Sequence, residues 1–202
     1  MKKFLLLALI PFALNGCAVA AVVTGAEAAK TIAQERSVGS RVDDNAISVQ
    51  INDKFIQKNF EGLFTDVSTE ITEGRVLLTG SVKKAEYRYE AEKLTWEVPG
   101  VKEVINELQV TDGSTFTGYM TDAWLSRAVK TRLIFTKGIS SSNYNVESVN
   151  GTVYLMGIAQ NERELQSAID VARTVKGTKE VVSHVLLKDD PRRGVWKEET
   201  KQ

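Results

Sequence analysis

The sequence predicts an α+β protein in which one small module occurs twice in tandem, each copy running helix, strand, strand, helix, strand, with two helices packed on a three-stranded mixed sheet. Three observations predict it. Glycines recur in step, because Gly74 and Gly151, Gly80 and Gly157, and Gly100 and Gly177 are each 77 residues apart. Apolar residues recur every fourth position at the head of each copy, first as Ile47, Ile51 and Phe55 and then as Leu125, Val129 and Leu133, the spacing of one helix face. After each such helix come strand-like alternations, Val67, Thr69, Ile71 and Tyr144, Val146, Ser148, that run into Glu73-Gly74 and Asn150-Gly151.

Composition narrows the function. The 202 residues are 43% hydrophobic and 26% charged, the profile of a chain with a folded core. Basic and acidic side chains balance at 26 each, so no net field draws in nucleic acid. One cysteine, Cys17, and one histidine, His184, allow neither an internal disulfide nor a Cys/His zinc cluster. No metal and no cofactor are expected.

The first element is an export signal. Lys2 and Lys3 precede an apolar run of eleven residues, Phe4 to Leu14, broken only by Pro11. A spanning helix needs about 20 apolar residues, so residues 1–16 fit a cleavable signal peptide. Leu14-Asn15-Gly16-Cys17 resembles the lipobox of bacterial lipoproteins, with Asn15 departing from the small residue usual there. The resemblance implies acylation at Cys17, and Ala18, in place of an inner-membrane-retaining aspartate, implies the outer membrane. Acyl chains, at about 0.8 kcal/mol per buried methylene, anchor a protein without a transmembrane helix. Residues 17–42 read as the lipidated end and its tether.

The first module spans 43–112 and the second 121–190. Asp44 and Asp122 stand three residues before Ile47 and Leu125, where helix caps are expected. The hairpin strands return as Val76 to Gly80 and Val153 to Gly157, with the turn glycine supplying a positive φ. Second helices are expected over 84–97 and 162–175, stopping at Pro99-Gly100 and Lys176-Gly177. Last strands then start at Val101 and Thr178. A linker, 113–120, carries Phe116, Tyr119 and Met120, which are expected to pack between the modules. The first copy has a longer loop, Lys58 to Thr65, with no assigned role, and the tail 191–202 is charged and expected to be disordered.

These residues resemble the BON domain. The resemblance rests on Gly74 to Gly80 and Gly151 to Gly157, on Gly-Val-Lys-Glu-Val-Ile-Asn at 100–106, and on Thr121-Asp122-Ala123-Trp124. It also takes in Arg36-Ser37-Val38-Gly39 and Val42-Asp43-Asp44, and it departs from the pattern at Thr178, where valine is common. Two such domains behind a lipobox are similar to dual-BON outer-membrane lipoproteins. That likeness implies a periplasm-facing, membrane-associated protein that supports outer-membrane integrity, contacts anionic phospholipid through the first helix of its second domain, and is not an enzyme.

Helical geometry points to the same surface. With Leu125, Val129 and Leu133 facing the sheet, the opposite side of that helix carries Trp124, Arg127, Lys130, Thr131, Ile134 and Phe135. Indole, aliphatic and cationic groups together suit the headgroup layer of an anionic membrane. The first copy serves as a control, since its equivalents Ala46, Val49, Asn52, Asp53 and Ile56 include no aromatic and no cation. Residues 122–137 hold four cations and one acid, against two and two over 44–59. The competing expectation buries Trp124 between the modules. His184 is expected to face solvent on the last strand, with Glu107 as its counterpart, and the pairs Asp43-Asp44 and Asp189-Asp190 read as boundaries or caps. The alternative function is a protein-binding adaptor of an outer-membrane assembly machine.

Overall fold

Two-residue turns and helical crossovers dictate the topology. The computed structural model describes residues 38–58, 67–111 and 116–193. The first module comprises α1 (Val38–Lys58), β1 (Val67–Thr72), β2 (Arg75–Val82), α2 (Ala85–Trp96), β3 (Glu103–Asn106) and a two-residue β4 (Gln109–Val110). The second comprises α3 (Phe116–Phe135), a single 3₁₀ turn at Ser141–Asn143, β5 (Tyr144–Val149), β6 (Thr152–Ala159), α4 (Glu162–Arg173) and β7 (Glu180–Leu187). A tight turn makes β1 antiparallel to β2, and the crossover through α2 brings β3 back parallel to β2. The second module repeats this with β5, β6 and β7. The sheets are therefore mixed, as the pattern predicts, and the first adds one short parallel pairing of β4 with the end of β2.

Each module buries its own core between helices and sheet. Ile47, Ile51 and Phe55 from α1 meet Val76, Leu78 and Val82 from β2 and Ala91 and Leu94 from α2. Leu125, Val129 and Leu133 from α3 likewise meet Val153 and Leu155 from β6 and Ala168 and Ala172 from α4. The residues read as core from their spacing are core.

Asp44 and Asp122 are not helix caps. Helices α1 and α3 begin six residues earlier, and both aspartates reach from within the helix to the hairpin turn. Asp44 accepts from the amides of Glu73 (3.0 Å) and Gly74 (2.8 Å); Asp122 accepts from those of Asn150 (2.7 Å) and Gly151 (2.9 Å). Both turn residues have positive φ in each copy, 56° and 80°, then 53° and 86°, so the two amides point the same way and one carboxylate satisfies both. The aspartate thus ties its helix to the hairpin that follows.

The expected linker also differs. Residues 116–120 are the first turn of α3, and Met120 is 55% exposed on it rather than packed between modules. The side chains of Phe116 and Tyr119 lie outside the described residues, as do loop residues 59–66, Cys17 and the whole signal segment. The tail does not leave the fold at Pro191. Arg193 is buried and grips Glu73 of the first module through two hydrogen bonds (2.8 and 2.9 Å).

The modules join sheet to sheet, which makes four layers with helices outside. Leu77 points away from α1 and α2, on the opposite face of β2 from Leu78, and packs with Val149, Tyr154 and Met156, with Ile105 and Val182 beside them. This seam matches itself: Leu77 and Tyr154, Ile105 and Val182, and Glu107 and His184 are each 77 apart and share it. Residue i meeting the equivalent of i is the mark of two-fold packing, here within one chain. His184 is accordingly half-buried at the seam rather than open to solvent; its Nε2 lies 2.9 Å from Glu107, and its backbone oxygen accepts from Arg75 (3.0 Å). Gln109 donates to the Tyr154 hydroxyl (3.3 Å) and accepts from Asn150 (2.7 Å), closing another edge.

Candidate functional site

Helix α3 owes its outward stripe to a simple constraint: with one face committed to the sheet, residues about half a turn away must meet whatever lies outside. Leu125, Val129 and Leu133 are fully buried. Trp124 (55% exposed), Ile134 (57%) and Phe135 (83%) stand on the other side with Met120, an amount of open apolar surface that a solvated helix does not need. At about 100° per residue, Met120, Trp124, Arg127, Thr131, Ile134 and Phe135 share an arc roughly 100° wide. Arg127 and Thr131 are exposed within that arc, and Lys130 is exposed at its margin, toward β5. Thr131 turns its hydroxyl back onto the Arg127 carbonyl (2.8 Å), satisfying it within the helix.

The cations of this helix are available. Among the described residues, Arg127, Lys130, Arg132 and Lys137 form no ion pair. On α1, Lys54 pairs with Glu97 (2.9 Å) and Lys58 with Glu90 (3.1 Å), both on or just after α2. Lys54 holds the Glu97 carboxyl below its usual range by a hydrogen bond and by its charge. Helix α1 does expose Val42, Val49 and Ile56, a stripe of aliphatics without aromatics or free cations. Because the sheets lie between them, α1 and α3 face opposite ways, and one flat membrane cannot touch both.

Spacing missed two features. Met120 belongs to the stripe, four residues before Trp124, a signal hidden when 113–120 is read as linker. On α2, Tyr89 and Trp96 stand exposed seven residues apart and wall a shallow groove with Glu92, Lys93 and Glu97; their counterparts in the second module are Gln166 and Arg173. Among the described residues, no group of three or more His, Cys, Asp or Glu side chains is placed to hold a metal ion. Nor is any described helix long and apolar enough to cross a membrane.

Comparison with known proteins agrees with the repeat. The family model of the BON domain matches residues 43–112 and again 121–189. This chain belongs to the BON-domain family. It is similar, at 32% identity over 185 residues, to the outer membrane lipoprotein DolP of Haemophilus influenzae, an alignment covering 90% of this chain and 94% of that one. An uncharacterized protein in the gshII 5′ region of Anaplasma centrale is 43% identical over 148 residues, 73% of this chain and 96% of its own. The osmotically inducible protein Y of Escherichia coli is 28% identical over 154 residues, 75% of this chain and 76% of its own. In BON terms, the stripe lies on the first helix of the second BON domain.

Proposed function

We propose that this chain is a non-enzymatic envelope lipoprotein that docks on anionic phospholipid through α3 of its second BON domain. Acyl chains on Cys17 hold it at the outer membrane, facing the periplasm, where it supports membrane integrity. The single observation that carries the reading is the α3 stripe: indole, phenyl, thioether and isoleucine groups exposed among unpaired cations on one helix face. Such a face sets its apolar side chains at headgroup depth while arginine and lysine meet phosphate. The likeness to DolP, whose name places it in the outer membrane, supports the anchoring half of the reading. A signal segment ending in a cysteine supports it independently.

The test is sedimentation of the soluble form starting at Ala18 with phosphatidylglycerol and with phosphatidylcholine vesicles over a salt series. Screening lengths fall from about 10 Å at 0.1 M salt to 3 Å at 1 M. Capture by the anionic vesicles should therefore drop about tenfold or more across that range, and capture by the zwitterionic ones should be weak throughout. Equal capture by both lipids, unmoved by salt, overturns the reading. The adaptor alternative draws on the Tyr89–Trp96 groove of the first BON domain; it gains if neither vesicle is bound and a single protein partner is lost on Trp96→Ala.

A further inference from the structure

At the seam between the domains, two glutamates occupy equivalent positions. Glu70 on β1 lies opposite Leu77 in the strand register, and Glu147 on β5 lies opposite Tyr154. They are 77 residues apart, and the two-fold packing brings their carboxyl groups into hydrogen-bonding contact. Two carboxylates repel; a carboxyl and a carboxylate share a proton and attract. The contact therefore holds only while the pair carries one proton.

We propose that the Glu70–Glu147 pair is a proton-set latch, which tightens the seam between the two domains when it holds a proton and releases Lys130 to the lipid-facing side of α3. The second half rests on the lipid-docking reading above; the first half does not. From α3, Lys130 is the charged group that acts on Glu147; from β1 it is Glu70, and the cross-strand neighbour on β6 is Tyr154. Burial, then the charge of Glu70 and the hydrogen bond to it, push the Glu147 carboxyl up to about 7, with Lys130 pulling the other way. When the pair loses its proton, two negative charges stand at the edge of the seam and draw Lys130 inward, away from phosphate. When it regains the proton, the ammonium is free to leave.

The sign follows from linkage. Separated domains would ionise Glu147 in the ordinary carboxylate range, whereas the packed seam keeps its proton up to about pH 7. Packing is therefore tightest in acid and weakens about tenfold per pH unit between the ordinary range and the raised value, then levels off. Ion pairs of Arg75 with Glu103 and of Arg193 with Glu73 also stand at the seam.

The experiment is urea denaturation of the full chain, without lipid, at pH 5 and pH 8, for the wild type and Glu147→Gln. The wild-type midpoint should fall on going to pH 8, and the variant, which keeps a neutral hydrogen-bonding group, should hold its midpoint. A wild-type midpoint that does not fall, or a variant that falls as far as the wild type, overturns the latch. Should Glu147→Gln fail to fold, Glu70→Gln makes the same comparison. A second arm, with Cys17→Ser so that acyl chains do not dominate, measures capture by phosphatidylglycerol vesicles at both pH values. Capture should strengthen in acid for the wild type and change several-fold less in Glu147→Gln. If capture is absent at both pH values while the midpoint still titrates, the lipid reading and the Lys130 coupling fail and the seam latch stands; if capture is strong but equally pH-dependent in both proteins, the coupling fails alone.

Discussion

Gly157→Ala abolishes the fold of the second BON domain. Gly157 sits in β6 with φ +145°, a region closed to side chains, and a methyl group there would run into the carbonyl oxygen of Asn143 and crowd the backbone of Tyr144. Neither neighbour can move, because Asn143 is buried and Tyr144 is a fully buried core residue in register with Gly157. The expected cost is about 4 kcal/mol or more, a large share of the 5–15 kcal/mol that holds a domain together. Gly138→Ala is the matched control: its φ is also positive, +89°, but open space surrounds it, so only the local strain of about 1–2 kcal/mol applies. Urea denaturation followed by circular dichroism compares them. Equal midpoints for the two variants would contradict the close approach at Gly157.

Arg127→Glu together with Lys130→Glu should nearly abolish capture by anionic vesicles. Each basic side chain near an anionic surface contributes about 1 kcal/mol, and reversing two of them changes the balance by about 4 kcal/mol, close to a thousandfold in affinity. Both side chains are exposed and outside the core cluster of the second domain, so the urea midpoint at pH 5, where the Glu70–Glu147 pair is protonated, should stay within about 0.5 kcal/mol of the wild type. Sedimentation with phosphatidylglycerol vesicles reads the first effect. A loss of less than threefold with the fold intact would remove the electrostatic half of the docking account.

Helix faces and turns were legible in the sequence because each is set by neighbours within a few residues. Ile47, Ile51 and Phe55, their counterparts Leu125, Val129 and Leu133, and the Gly74 and Gly151 turns all follow from local spacing and φ. Asp44 and Asp122 were misread for the same reason: an aspartate ahead of an apolar run looks like a cap, while its true partners, the turn amides, lie about thirty residues on. The seam was the least legible part. His184 alternates like a half-exposed strand residue, and only the opposing sheet decides what it meets. A signal was present in Val76-Leu77-Leu78 and Val153-Tyr154-Leu155-Met156, continuous apolar runs that imply strands covered on both faces. The stripe on α3 could be placed because the buried face fixes the outer one, but its extent to Met120 could not, since the helix start was set too late.

Entry of Trp124 into lipid is read by a chain in which it is the sole tryptophan, with Trp96→Phe and Trp196→Phe, and with Cys17→Ser. On mixing with phosphatidylglycerol vesicles, its emission should shift to shorter wavelength and be quenched by lipids brominated along the acyl chain, as an indole does on entering the headgroup boundary. Co-sedimentation with those vesicles while the Trp124 emission neither shifts nor quenches would show that the protein meets lipid by some other face, and the role given to α3 would be wrong.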